Sequence, residues 1–199
     1  IAFDFQWEGF CGLGLHLCMD GFRALYCLVA SLMWMMTSFF SMEYMGSYPS
    51  RNRYRFFTLL ILGATVGVFL SADLYTAFIF FEIMSFTSYT WVAHEETKEA
   101  LRAAETYLAV AVIGGLVMLM GLFILYRELG TLEITALAEA VRSHTLAGES
   151  GAVRYRNLFI GASCLLFGFG AKAGVFPLHI WLPKAHPVAP APASALLSG

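Results

Sequence analysis

Three stretches of this 199-residue chain, 24–42, 56–72 and 106–126, contain no Asp, Glu, Lys or Arg. Two more carry one charge each: Glu82 in 74–93 and Lys172 in 157–178. A helix rises about 1.5 Å per residue, so about 20 apolar residues cross a hydrocarbon core about 30 Å thick. The pattern predicts five membrane spans, at 23–45, 56–72, 74–93, 105–126 and 157–178. Only 13% of residues are charged while 59% are hydrophobic, so a soluble bundle of five such helices has too little polar surface to solvate itself. The expected fold class is therefore all-α, a polytopic transmembrane helix bundle.

The segments between the runs set the rest of the organisation. The chain reads as a single domain truncated at both ends, because it begins at Ile1 and stops within "PASALLSG", the first turns of a further helix. No basic segment precedes an apolar one at the N-terminus, so no signal-peptide pattern is present. In residues 1–22, Phe3, Phe5 and Trp7 alternate with other residues, as do Leu13, Leu15 and Leu17, around a "GFCG" break. Period two predicts a β-hairpin at the non-cytoplasmic face. Residues 56–126 hold three spans, 127–156 a loop, and 157–199 a broken span and the start of the next helix. In the loop, Ile134, Leu137, Ala138 and Val141 fall on one face of a short amphipathic helix. Arg51, Arg53 and Arg55 follow the first span, and Lys98 and Arg102 the third; with Lys184 they place that side in the cytoplasm. The opposite side carries the tight turn at Asp73 and the 127–156 loop with Arg127, Arg142, Arg154 and Arg156. Tyr44, Tyr54, Trp91, Tyr107, Tyr126 and Tyr155 lie near span ends, as interfacial aromatic belts require.

Several functions find no support in the residues. The net charge is −2 and no basic stripe is present, so nucleic acid is not an expected partner. Cys11, Cys18, Cys27 and Cys164 form no CxxC pair and read as small hydrophobes; a Cys11–Cys18 bond is the alternative if both face an oxidising compartment. There is no HExxH and no Cys/His ligand spacing, so no metal is expected. Walker A and GxGxxG patterns are absent, and "SALLSG" lacks the GxSxG of a nucleophile elbow. No cofactor and no catalytic chemistry of its own are expected of this chain.

What remains is the chemistry of two lone charges. An ionised group at the centre of a membrane helix costs about 2.5–3.5 kcal/mol on insertion scales, and such groups mostly face a bundle interior or a water-filled path. Glu82 stands among Phe80, Phe81, Ile83 and Met84, with Ser85 and Tyr89 following on the same face at i+3 and i+7. Burial favours the neutral carboxyl and a nearby cation the charged one, so a site with both switches with small movements of charge. The plainer reading is a hydrogen bond that ties two helices. Lys172 is bracketed by Gly168, Gly170 and Gly174, and Pro177 follows. Irregular backbone at lipid depth is tolerated where it lines a cavity or is covered by protein, and a helix broken beside a buried charge recurs in transporter ion sites. The alternative for Lys172 is snorkelling to the interface. His179 beside the break can pass protons to Lys172 or cap carbonyls freed by the break. His186, among prolines, reads as structural or solvent-facing.

The segments "LCMDGFRALY", "FEIMSFTSY", "LFILYRELGTL" and "KAGVFPLHIWLPKAHPVAPAPASALLSG", in that order, resemble the antiporter-like subunits of respiratory complex I (NADH:quinone oxidoreductase). The same family includes subunits of membrane-bound hydrogenases and of multisubunit Na+/H+ antiporters. The resemblance covers essentially the whole chain and implies a protein of about fourteen helices with two inverted five-helix repeats. This chain then covers helices three to seven and the start of the eighth. Glu82 matches the family's fifth-helix glutamate and Lys172 the lysine of its broken seventh helix, a coupled pair that helps drive protons through a half-channel. Three departures stand out: Phe81 where the family often has Trp, Ala173 where it often has Ser or Thr, and Lys184 where it often has Asp.

The resemblance thus implies a proton-translocating subunit of a redox-driven complex in an energy-coupling membrane of a bacterial or archaeal cell. Its partners are other membrane subunits, the lipid bilayer, and protons or Na+. Expected site residues are Glu82, Lys172 and His179, with Ser85, Tyr89, Lys184 and His186 as auxiliaries and Gly170, Gly174 and Pro177 at the helix break. Two alternatives are a cation/proton antiporter subunit and a non-conducting structural subunit.

Overall fold

A computed structural model describes residues 3–9, 12–48, 50–146 and 151–198. The order is β1 (Phe3–Trp7), β2 (Leu15–Met19), α1 (Gly21–Tyr44), α2 (Arg51–Leu70), α3 (Leu74–Val92), α4 (Lys98–Leu129), α5 (Leu137–Leu146), α6 (Gly151–Ala173), α7 (Leu182–Ala185) and α8 (Ala191–Ser198). The chain is a helical membrane bundle with one small sheet. β1 and β2 are antiparallel, with Phe3 opposite Met19, Phe5 opposite Leu17 and Trp7 opposite Leu15. The hairpin break includes Cys11, which lies outside the described residues; Cys18, Cys27 and Cys164 are free thiols.

By length and composition, four stretches among the described residues can cross a membrane: Gly21–Tyr44, Arg51–Leu70, Lys98–Leu129 and Tyr155–Ala185. α3, the expected third span, falls short of that measure because Glu82 and its Thr and Ser residues dilute its hydropathy. Its polarity is turned inward. Thr76, Ser85 and Ser88 are buried, and Ser85 Oγ and Ser88 Oγ donate to the carbonyls of Phe81 and Met84 at 2.9 and 2.7 Å. α3 packs between α2 and α4, so these buried polar atoms meet protein rather than lipid. α1 is the opposite case: Phe22, Leu25, Leu28, Leu32, Met36 and Phe39 form an exposed apolar stripe.

The helices run past the charge-free windows. α2 begins at Arg51, α4 at Lys98 and α6 at Gly151, so Arg51, Arg53, Arg55, Lys98 and Arg102 stand on helix rather than in loops. A charge-free window marks the hydrocarbon-depth part of a helix, and one or two further turns continue beyond it. Caps fix these ends: Asp20 Oδ1 accepts from Arg23 N at 2.8 Å, Asp73 Oδ1 from Tyr75 N and Thr76 N at 2.8 Å, and Thr97 Oγ1 from Ala100 N at 3.1 Å. Gly130, at φ +72°, ends α4 with its N–H on Tyr126 O.

Two expectations need correction. Ile134 is not on the amphipathic helix, which begins at Leu137; its N–H pairs with Ala72 O at 3.1 Å, and Ile134 and Val141 are exposed. Nor are all the span-end aromatics interfacial. Tyr54, Trp91 and Tyr107 are at most 2% exposed: the early starts of α2 and α4 carry Tyr54 and Tyr107 inside the bundle, and Trp91 packs in a core cluster with Trp34 and Tyr54, whereas Tyr126 and Tyr155 are exposed.

α4 and α6 make the most extensive helix pair, through a glycine seam. A Cβ on Gly121 would stand 2.8 Å from Gly161 O, and one on Gly168 would stand 2.9 Å from Gly114 O. With no hydrophobic drive between helices in lipid, such close backbone approach is a main source of association. The seam runs up α6 to the last turn, where Lys172 sits.

Candidate functional site

α6 ends at Ala173, and Gly174 turns the chain at φ +68°, a backbone region that favours glycine. A Cβ there would also collide with Leu182. The carbonyls freed by the break are answered locally: Val175 N donates to Gly170 O at 2.9 Å and Trp181 Nε1 to Ala171 O at 2.8 Å. Gly170 itself is still helical. Pro177 leads into a 3₁₀ turn, Leu178–Trp181, which brings Trp181 back over the end of α6. Trp181 is buried and meets the Tyr107 ring edge-on at 5.0 Å.

This folded-back segment packs, through Trp181, on the Tyr107 ring that the Lys172 ammonium also meets. Nζ donates to Ser88 Oγ of α3 at 3.3 Å and to the Tyr107 hydroxyl of α4, and those two hydroxyls are 2.5 Å apart. Three helices thus converge on one amine. It is not snorkelling: Lys172 lines a cavity of about 410 Å³ together with Ser88, Trp34, Met84, Trp91 and Leu196, reached by α1, α2, α3 and α8.

Glu82 lies on α3 against α4. Its Oε1 is buried with no hydrogen-bond partner among the described residues. A Cβ on Gly115 would collide with that oxygen, so the missing side chain makes the slot that the carboxylate occupies. Ion pairs among the described residues join His16 to Asp4 and to Glu133, Arg23 to Asp20, and Arg53 to Glu96; none joins Glu82 to Lys172. The two charges still act on one another electrostatically. The arrangement suits proton handling: an amine held by neutral hydroxyls can lose its proton without breaking an ion pair, and its charge is felt by a carboxylate nearby.

The other expected residues divide. Ser85 donates to the Phe81 carbonyl, not to the Glu82 carboxylate. Tyr89 packs in the apolar cluster of Val92, Ala104, Tyr107 and Trp181. His179 stands in the 3₁₀ turn, its buried Nδ1 without a hydrogen-bond partner among the described residues and its ring 5.6 Å from Phe176. That nitrogen caps no carbonyl among the described residues. His186 Nδ1 bonds Ser194 Oγ at 2.7 Å and its ring stacks on Trp181, bracing α7 against α8. Lys184 is exposed. Ser88, Tyr107, Gly115 and Trp181 were not expected at the site.

Residues 71–199, more than half of the chain, match the family described as NADH:quinone oxidoreductase/Mrp antiporter, TM. Similar curated proteins include hydrogenase-4 component B of Escherichia coli K12, 33% identical over 187 residues, and a Na(+)/H(+) antiporter subunit of Bacillus subtilis 168, 30% identical over 183 residues. The matches take in 93% and 92% of this chain but 26% and 36% of those proteins, so the chain spans about a quarter to a third of their length. Among solved structures, a chain of the archaeal membrane-bound sulfane sulfur reductase, a respiratory membrane complex, superposes with a TM-score of 0.81 at 26% identity. That match covers 94% of this chain and 37% of its counterpart. A chain of the Mrp complex of Dietzia sp. DQ12-45-1b superposes with a TM-score of 0.78 over 100% of this chain and 36% of its own; at 24% identity the likeness is one of fold.

Proposed function

The chain belongs to the NADH:quinone oxidoreductase/Mrp antiporter transmembrane family, and on that premise we propose that it forms the proton-translocating part of an antiporter-like membrane subunit. In this reading it is most of the first repeat of a longer subunit, which works with other membrane subunits in a redox-driven complex of the hydrogenase or NADH:quinone oxidoreductase type. The carrying observation is the Lys172 ammonium, held by Ser88 and Tyr107 at a helix break and opening on a cavity inside the bundle.

A proton enters from the side bearing Arg51–Arg55, passes the break by way of His179 and reaches Lys172. A charged Lys172 favours ionised Glu82; a neutral one withdraws that support and leaves Glu82 ready to take a proton. A neighbouring subunit that biases either residue drives the other. Moving one charge across the membrane costs about 2.3 kcal/mol per 100 mV. The partner complex supplies that energy, since this chain is expected to carry no cofactor.

The reading is tested by Glu82→Gln in the full-length subunit. Inverted vesicles energised by the native electron donor should form little ΔpH, with assembly and donor oxidation retained. Full ΔpH in an assembled mutant overturns it. A second reading, cation/proton antiport, draws on the relative named as a Na(+)/H(+) antiporter subunit and on the buried Glu82 Oε1, which has no hydrogen-bond partner among the described residues. It predicts a ΔpH that depends on added sodium.

A further inference from the structure

We propose that His16 is a proton-linked positioning residue: as an imidazolium it clamps the N-terminal hairpin and the 131–134 segment onto the start of the helix that carries Glu82. His16 Nε2 lies 2.9 Å from Asp4 Oδ1 on β1, and Nδ1 lies 2.8 Å from Glu133 Oε1 beyond α4. Ionised carboxylates only accept, and a neutral imidazole has one N–H to give. Both bonds therefore form together only when the ring carries its second proton.

The clamp reaches α3 through the backbone of the same residue. His16 N donates to Thr76 Oγ1 at 2.9 Å, and Thr76 Oγ1 donates to Asp73 Oδ2 at 2.6 Å. Asp73 is the cap of α3, and Thr76 is fully buried in its first turn. His16 O accepts from Ala72 N at 2.9 Å, while Leu17 bridges to Ser71 and Asp73 to Glu133. The hairpin, the α2–α3 turn and the segment after α4 thus meet at one ring, and nothing in the proposed proton path uses it.

Charged and titratable groups around His16 are mostly acidic. Glu8, Asp73, Glu133, Tyr75 and Tyr126 line a cavity of about 260 Å³ beside it. Cys18, on the same strand, lies within the electrostatic reach of Arg23, Asp20, Asp4 and Glu133. Arg23, the nearby cation, is engaged by Asp20 and by Ser71 O. Partial burial works against charge on His16, but the hydrogen bonds and charges of Asp4 and Glu133 outweigh it and raise the ring above its ordinary 6.5. A raised folded-state value means the clamp is fully present below pH 6.5 and is lost as pH rises through that higher value. Losing the proton leaves one carboxylate facing a ring lone pair.

The test is amide hydrogen exchange of residues 3–19 and 71–78 in the full-length subunit in lipid nanodiscs, expressed as protection factors from about pH 5 to about pH 9. Wild type should lose roughly tenfold protection across the His16 titration, the loss expected for one charge-assisted bond. His16→Gln should show no such step. Asp4→Asn, a change at an exposed side chain, should move the step to lower pH. A wild-type profile without a step, a step that survives His16→Gln, or one that Asp4→Asn leaves in place overturns the clamp. Transport is not part of the readout, so failure here is separate from failure of the proposed proton path.

Discussion

Lys172 Nζ on α6 is held by Ser88 Oγ on α3 at 3.3 Å, with the Tyr107 hydroxyl completing the contact. Neutral oxygens thus hold the amine, while the carboxylate that shares its field stands apart.

Tyr107→Phe keeps the ring that packs on Trp181 and removes only the hydroxyl. A hydrogen bond to a charged group is worth about 1.5–3 kcal/mol, so proton pumping should fall roughly tenfold or more with assembly retained. Rates of donor-driven ΔpH formation in inverted vesicles give the answer; an unchanged rate means the hydroxyl is incidental.

Gly115→Ala pushes a methyl into the place of Glu82 Oε1. The neighbour that must yield is the end of a flexible side chain, so the bundle should survive while pumping falls as in Glu82→Gln. Gly121→Ala meets the Gly161 carbonyl instead, 2.8 Å from the new Cβ, and backbone cannot move aside cheaply. Overpacking of that kind costs about 1–3 kcal/mol and should appear as lost thermal stability or assembly. Gly63→Ala, with nothing within 4 Å, is the neutral control. Pumping and melting measured on all three separate the two roles of glycine.

The solitary charges and the break were legible because each violates the composition around it: one Glu or one Lys in an apolar run, then glycines and prolines. Ser88 and Tyr107 were not. A serine in a membrane helix commonly back-bonds to its own turn, as Ser85 and Ser88 both do, and only Ser88 also meets Lys172. Tyr107 looked interfacial because the charge-free window opens beside it, whereas α4 begins at Lys98 and buries it. Gly115 sits beside Gly114 in one apolar run, and its service to Glu82 depends on how α3 lies against α4. Contacts between helices leave no periodic trace in either one. The hairpin, by contrast, followed from alternation alone, though its docking through His16 did not.

His94, in the turn after α3, is 5% exposed, and Arg53 binds its carbonyl at 2.9 Å. Burial first, and the Arg53 charge second, hold its ring below the ordinary 6.5. Below pH 6.5 the unfolded chain takes a proton that the folded chain refuses, so stability should fall as pH drops through that value. His94→Gln should flatten this part of the profile. Thermal melts in detergent across that pH range check it, and identical profiles for the two proteins contradict it.

Lys172→Met in the full-length subunit is the most direct test, with ΔpH, assembly and electron-donor oxidation measured in the same inverted vesicles. The account predicts lost ΔpH with assembly intact and donor oxidation continuing. Unchanged ΔpH would make the broken helix an architectural feature of a bracing subunit and would contradict the proposed path.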